Sequence, residues 1–226
     1  MANVSQTTLI MVRQFDVPTE RVFDAWINPV MMRRWLMTNE GTNKIAVNEP
    51  YVGGRWTIVD QRDGIEYTAT GEYLKIERPN LLIFTFQMPQ FSELIDRLTV
   101  ELRELEKGCE MTFTQVINVA HEEDWTEADI EKAHGENYSG SEHGWNLMFG
   151  GLKDILSLYA LIQQIGPERL AELSDQALKN AGEDYFKNEN AQAIYSLRYL
   201  GYVEHESALF TDVGVQLLKQ LAVDAN

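Results

Sequence analysis

Cysteine is nearly absent: the chain of 226 residues has one, Cys109. A lone thiol excludes an internal disulfide framework and any metal site built from several thiolates. Positive charge is also scarce, with 19 Lys and Arg against 35 Asp and Glu and a formal charge of -16. Such a surface repels phosphate backbones and anionic lipid heads, because each contact has to bring a cation to the polyanion. Nucleic acid and membrane are therefore not expected partners. No run of about 18 apolar residues occurs, so no membrane-spanning helix is expected. The opening MANVSQTTLIMVRQF has no basic segment followed by an apolar stretch of signal-peptide length, which leads to the expectation of a soluble, cytoplasmic protein.

Reactive constellations are missing as well. His121, His134, His143 and His205 show no H-E-x-x-H spacing, and the oxygen-ligand pattern of a calcium loop does not occur. No metal and no cofactor are expected. There is no G-x-S-x-G elbow, and Ser141 and His143 stand together without a third member. Cys109 follows a turn with no cationic setting to activate it. Gly53-Gly54 reads as a bulge or turn and Gly150-Gly151 as close helix packing, not as phosphate cradles. No catalytic residue is assigned.

Periodicity supplies the fold. Residues 8–15 are apolar and β-branched enough for a strand; Pro18 then opens a helix whose stripe is Val22, Phe23, Trp26 and Ile27. Asn28-Pro29 ends it and starts a second short helix leading to Met32 and Trp35. From about 44 to 119 the period becomes two. Trp56 and Ile58, then Tyr67, Ala69, Gly71 and Tyr73, then Leu82, Phe84, Phe86 and Met88, share faces. Leu98, Val100 and Leu102 follow, then Met111 and Phe113. Turn signals at Gly53-Gly54, Asp63-Gly64, Pro79-Asn80 and Lys107-Gly108 predict antiparallel pairing. Residues 121–141 read as an acidic loop with one short helix near 127–132, and 143–164 as a long helix carrying Trp145, Phe149, Leu152, Ile155, Leu156 and Tyr159.

The order of landmarks carries a resemblance. Phe15 and Pro18 lead into ERVFDAW at 20–26; Pro29, Trp35, Gly53-Gly54-Arg55-Trp56, Asp63-Gly64 and Gly71-Glu72-Tyr73 follow. Ile76, Pro79, Phe84-Thr85, Val100-Glu101-Leu102, Gly108 and Gly144-Trp145 complete the series. Over residues 8–158 the chain resembles the heat-shock-protein-90 ATPase activator homologue family of the START-like (SRPBCC) superfamily. Cys109 departs from the Thr usual after that glycine, and the acidic stretch before Gly144 is long. The resemblance implies an α+β helix-grip fold over 1–164. In it a curved antiparallel sheet wraps a long C-terminal helix, with two short helices after the first strand. A small helical extension, 165–226, is expected beyond it, since Gly166-Pro167 breaks the helix. Its run 193–221 resembles the second half of a winged-helix domain, with Thr211 as an N-cap. Glu204, His205 and Glu206 in its hairpin favour protein contact, such as a homodimer through the extension, over DNA.

A helix and a curved sheet do not seal along their whole length, so the fold implies an apolar cavity between them. Its expected walls are Trp35, Trp56, Tyr67, Tyr73, Phe84, Phe86, Phe113, Trp145, Phe149 and Tyr159, with His143 as a polar handle. Arg103, the other cation considered, is expected to face solvent. The leading functional expectation is non-catalytic binding of a small hydrophobic or amphipathic ligand. Two alternatives stand beside it. A START-like enzyme of cyclase or hydrolase type would need His143 or Glu72 inside the cavity. A chaperone-cofactor or stress-response adaptor, implied by the family, would meet a protein partner through its anionic surface.

Overall fold

The computed structural model of the chain describes residues 3–39, 41–165, 211, 214 and 215, with backbone alone at 158, 159 and 161–165. Strand β1 (Asn3–Phe15) is followed by two short helices, α1 (Thr19–Ile27) and α2 (Pro29–Met32). Six strands come next: β2 (Asn43–Asn48), β3 (Arg55–Arg62), β4 (Ile65–Glu77), β5 (Leu81–Phe86), β6 (Asp96–Glu104) and β7 (Cys109–His121). Helix α3 (Glu127–Ile165) closes the series.

All seven strands form one antiparallel sheet in the order β1-β7-β6-β5-β4-β3-β2. Each strand from β2 to β7 pairs with its sequence neighbour, because the connections, the longest being the loop 87–95, are too short for a crossover. Asp63 and Gly64 both have positive φ, 51° and 81°, as a two-residue hairpin with the right-handed twist requires. Gly108 (φ 73°) turns β6 into β7. The helices α1 and α2 carry the chain from β1 to the far edge, so β1 pairs with β7 along its whole length, from Asn3↔His121 to Phe15↔Cys109.

Short local bonds fix the helix starts. Asn28 accepts from the Val30 N–H at 2.9 Å through Oδ1, with Pro29 in the first position of α2, where its missing N–H is not needed. Thr126 and Asp129 cap α3 reciprocally: Asp129 Oδ2 accepts from Thr126 N at 2.9 Å, and Thr126 Oγ1 from Asp129 N at 3.3 Å.

Helix α3 corrects one expectation. Residues 133–142 belong to a continuous helix of 39 residues, not to a loop between two helices. Gly135, Ser139, Gly140 and Ser141 are poor helix formers, which hides the segment from periodicity. The cap at Thr126 supplies the nucleus, and side chains along the segment support it. Asn137 Nδ2 donates to Ala133 O at 2.9 Å, and Ser5 Oγ lies 2.7 Å from His134 Nε2, tying the helix to β1.

The core lies between the concave face of the sheet and α1, α2 and α3. Trp26 on α1 sits at its centre, with ring centroids 4.7 Å from Trp35, 5.7 Å from Phe84, 6.1 Å from Phe113 and 6.0 Å from Trp145. Such pairs add about 0.5–1.5 kcal/mol each beyond the area they bury. Gly151 of α3 faces Trp35, so the close approach expected there involves this glycine, while a side chain at Gly150 would meet nothing within 4 Å.

The chain divides into two compact units, 1–153 and 154–226. The extension expected over 165–226 lies outside the described residues, apart from Ile165, Thr211, Gly214 and Val215. Thr211 Oγ1 accepts from Gly214 N at 3.1 Å, the bond an N-cap makes. No described helix is long and apolar enough to cross a membrane.

Candidate functional site

The aromatic residues expected as cavity walls separate into two groups. Trp35, Trp56, Tyr73, Phe84, Phe113, Trp145 and Phe149 are buried and packed on one another. Burial pushes the Tyr73 phenol well above its usual range, against the opposing pull of a hydrogen bond with the Asn48 side chain. Phe86 faces a void, where it lines a cavity of about 510 Å³ between the β5–β7 end of the sheet and the first half of α3. Tyr67 is half-buried and leans on Phe91, 6.1 Å between centroids, and Phe91 lines the same cavity. His143 is exposed and outside the lining, as is Glu72, so neither acid-base candidate named from the sequence reaches this space. The Tyr159 side chain lies outside the described residues. Arg103 is exposed and donates to Glu110 at 2.8 Å, which helps hold that surface carboxyl below its ordinary range.

The cavity exists because of what α3 carries where it passes this end of the sheet. Its wall there is Glu136, Asn137, Gly140 and Ser141, and a Cβ built on Gly140 would meet no atom within 4 Å. Lower on the same helix Trp145 and Phe149 fill the gap to the sheet; above them small and polar side chains leave it open. The apolar part of the opposite wall is Phe86, Met88, Phe91, Leu94 and Ile117. The loop between β5 and β6 that brings in Phe91, Ser92 and Leu94 is held by Gln87, whose Nε2 donates to the Glu93 carbonyl at 3.1 Å.

Two polar residues on this wall were not named from the sequence. Along β7 the inward positions run Cys109, Met111, Phe113, Gln115, Ile117 and Val119. One amide thus stands in an otherwise apolar row. Gln115 is only 2% exposed, and an amide buried so fully needs partners at both ends. Trp145 Nε1 donates to its Oε1 at 2.7 Å. An indole can only donate, so the Gln115 amide is oriented by that bond, and its Nε2 turns to Asp96. It donates to Asp96 Oδ2 at 2.7 Å, while the Asn118 N–H donates to Oδ1 at 2.8 Å. Burial raises the Asp96 carboxyl above its ordinary value, and these two bonds oppose the rise without cancelling it. The signal that finds Gln115 is available in the sequence: a polar residue on the buried phase of an alternating strand.

The family model described as activator of Hsp90 ATPase homolog 1-like protein matches residues 16–157. The chain belongs to this family. Among solved structures, a protein of unknown function from Staphylococcus aureus is similar at 26% identity and a TM-score of 0.63, over 68% of this chain and 95% of that one. A protein from Chromobacterium violaceum aligns at 19% identity and a TM-score of 0.53, covering 66% of this chain and 96% of its own. One from Rhodobacter sphaeroides aligns at 21% and 0.53, covering 67% and 93%. At those identities the last two show the fold alone. No curated protein matches the chain. The family match ends close to the division between the two compact units, so the cavity lies wholly within the family domain.

Proposed function

We propose that this family domain binds a small amphipathic molecule in the cavity between the sheet and α3, without transforming it. The observation that carries the reading is the void itself. A space of about 510 Å³ is lined on the sheet side by Phe86, Met88, Phe91, Leu94 and Ile117 and by as many polar residues, of which Gln115 and Asp96 are held by bonds to each other and to Trp145. That size falls within the range of small-molecule sites, about 300–1,000 Å³, and the mixed wall suits an amphipathic occupant. The polar groups are held by bonds inside the protein, so a ligand meets them already ordered and loses little entropy in arranging them. Ser92 and Ser141 line the cavity, but no histidine does, so neither hydroxyl has an imidazole beside it within the lining.

Nile red, a neutral lipophilic dye, tests this directly. Saturable enhancement of its emission by the full chain is expected, and Gly140→Phe should abolish it while leaving the circular dichroism and melting temperature near wild type. The bulky ring would occupy the cavity from the helix side, where the backbone has room for it. Equal dye binding by the wild type and Gly140→Phe would overturn the reading.

A further inference from the structure

The charges lining the cavity all have one sign. Asp96 stands on the sheet wall and Glu136 on α3, and the lining contains no lysine, arginine or histidine. Asp96 is not an idle surface acid. Its side chain is fixed by Gln115 Nε2 at 2.7 Å and by the Asn118 backbone N–H at 2.8 Å. A carboxylate offers about four lone-pair directions, so two protein bonds leave acceptor capacity for a donor inside the cavity. Gln115, almost fully buried, has one Nε2–H bonded to Asp96 and its Oε1 bonded to Trp145. The remaining polar groups of the wall, Ser92, Asn118, Asn137 and Ser141, are neutral.

A carboxylate or phosphate head placed here would meet Asp96 and Glu136 and no cation of the lining, although Glu136 is exposed and lies 3.8 Å from Lys132 Nζ, so Asp96 is the stronger of the two charges against it. A neutral alcohol would find an acceptor but no charge complement. A protonated amine would find both, since hydrogen bonds to an ionised partner are about twice as strong as neutral ones. On the reading of the cavity as a ligand site, we propose that its occupant is an amphiphile with a protonated amine head on Asp96, facing Glu136. Its hydrocarbon body lies along Phe86, Met88, Leu94 and Ile117. The ammonium would in turn favour the ionised form of Asp96. The overall charge of -16 raises the concentration of such cations near the surface, but selectivity comes from the two cavity carboxylates.

A matched series separates the head from the body: n-octylamine, n-octanol and n-octanoate, titrated calorimetrically into the full chain near neutral pH. The amine is expected to bind about tenfold or more tighter than octanoate, with octanol between them. Asp96→Asn and Glu136→Gln should each reduce the amine-over-octanol ratio by about threefold or more, with octanol itself little changed. Glu101→Gln, the same charge change on the outer face of β6, should leave the ratio as it was. Glu136 is exposed on the helix, so its variant keeps the test open if Asp96→Asn folds poorly. Octanoate binding as tightly as octylamine, or Glu101→Gln acting as strongly as Glu136→Gln, overturns the amine assignment and leaves the cavity reading intact. Binding of none of the three overturns both.

Discussion

The indole Nε1 of Trp145 and the side-chain carbonyl of Gln115 lie 2.7 Å apart, between two residues each 2% exposed. This bond joins the aromatic core to the cavity. Trp145 packs on Phe113 at 4.3 Å and on Phe149 at 5.5 Å, so the indole cannot turn without disturbing both rings. Its fixed N–H orients the Gln115 amide, and the amide in turn holds Asp96 at the cavity wall. The carboxyl on the cavity wall is therefore positioned by hydrophobic packing about two residues away from it.

Replacing Gln115 with Met keeps the volume but removes both bonds. Trp145 Nε1 is then a buried donor without an acceptor, and Asp96 loses one of its two supports. A destabilisation of about 1–3 kcal/mol is expected from urea unfolding followed by tryptophan emission. Gln115→Glu preserves an acceptor for the indole but puts a second carboxyl against Asp96. It should be destabilised at neutral pH and recover on acidification, when the pair can share a proton. Indifference of stability to both changes would remove the structural role assigned to the relay.

Asp96 gives a pH dependence whose sign follows from its raised folded-state value. The native state holds this proton to higher pH than the unfolded chain does. Its contribution to stability is thus fully present below the unfolded carboxyl value and is lost as pH rises through the folded one. Its bonded partners are Gln115 and the Asn118 N–H on β7, both neutral, and the cavity lining holds no cation, Lys132 lying 3.8 Å from Glu136 on α3. The difference in melting temperature, wild type minus Asp96→Asn, should therefore fall with rising pH, beginning near the ordinary carboxyl value. A difference that grows with pH would show that the hydrogen bonds outweigh burial.

The sheet was legible in the sequence because its turns are chemically explicit. Asp63-Gly64 and Lys107-Gly108 mark residues whose backbone needs positive φ, and the alternation between them assigns the buried face. The same alternation could not distinguish a ring packed against other rings from a ring facing a void. Phe86 packs on Trp56 at 6.2 Å and on Trp145 at 6.0 Å like its neighbours in the core, yet it also lines the cavity, which Trp56, Phe84 and Phe113 do not. That difference is set on the opposite wall, by Gly140 and Ser141 in a segment whose weak helix propensity made it read as a loop. The capping pair Thr126 and Asp129 was the overlooked signal. Gln115 stands on the buried phase of β7 with Met111, Phe113 and Ile117; alternation marks it as buried but does not give the partners on α3 and β6, Trp145 and Asp96, that make an amide tolerable there.

Cys109 should be inert in the native protein. It is fully buried, and burial, with Glu20 and Glu104 nearby, pushes its thiol up to about 11. At about pH 8 only about a thousandth would be thiolate, the reactive form, even if the reagent could reach it. Titration with an aromatic disulfide reagent should release close to one equivalent of thiolate in denaturant and almost none from the folded chain over minutes. Rapid release from folded protein would mean that the β1–β7 edge opens far more readily than its pairing indicates.

Two glycines should respond to alanine in opposite directions. Gly71 lies in β4 beside Thr85 of β5, and a Cβ there would sit 1.8 Å from the Thr85 carbonyl oxygen and 2.6 Å from Trp56 Nε1. The first of these is backbone, and it cannot yield without breaking the local pairing. The indole is also held, since its Nε1 donates to the same carbonyl at 3.3 Å. Gly71→Ala is expected to cost about 3 kcal/mol, the upper part of the range for forcing atoms into a packed site. Gly140, by contrast, is in the exposed interior of α3, with nothing within 4 Å of an added Cβ. Alanine removes the backbone entropy penalty of glycine there and should add up to about 1 kcal/mol. It projects only one carbon toward the cavity, so Nile red should still bind, unlike in Gly140→Phe. Urea midpoints moving apart, at unchanged slope, are the expected result. Midpoints that shift the same way would mean that either the clash at Gly71 relaxes or the helix around Gly140 is held by contacts other than its own backbone.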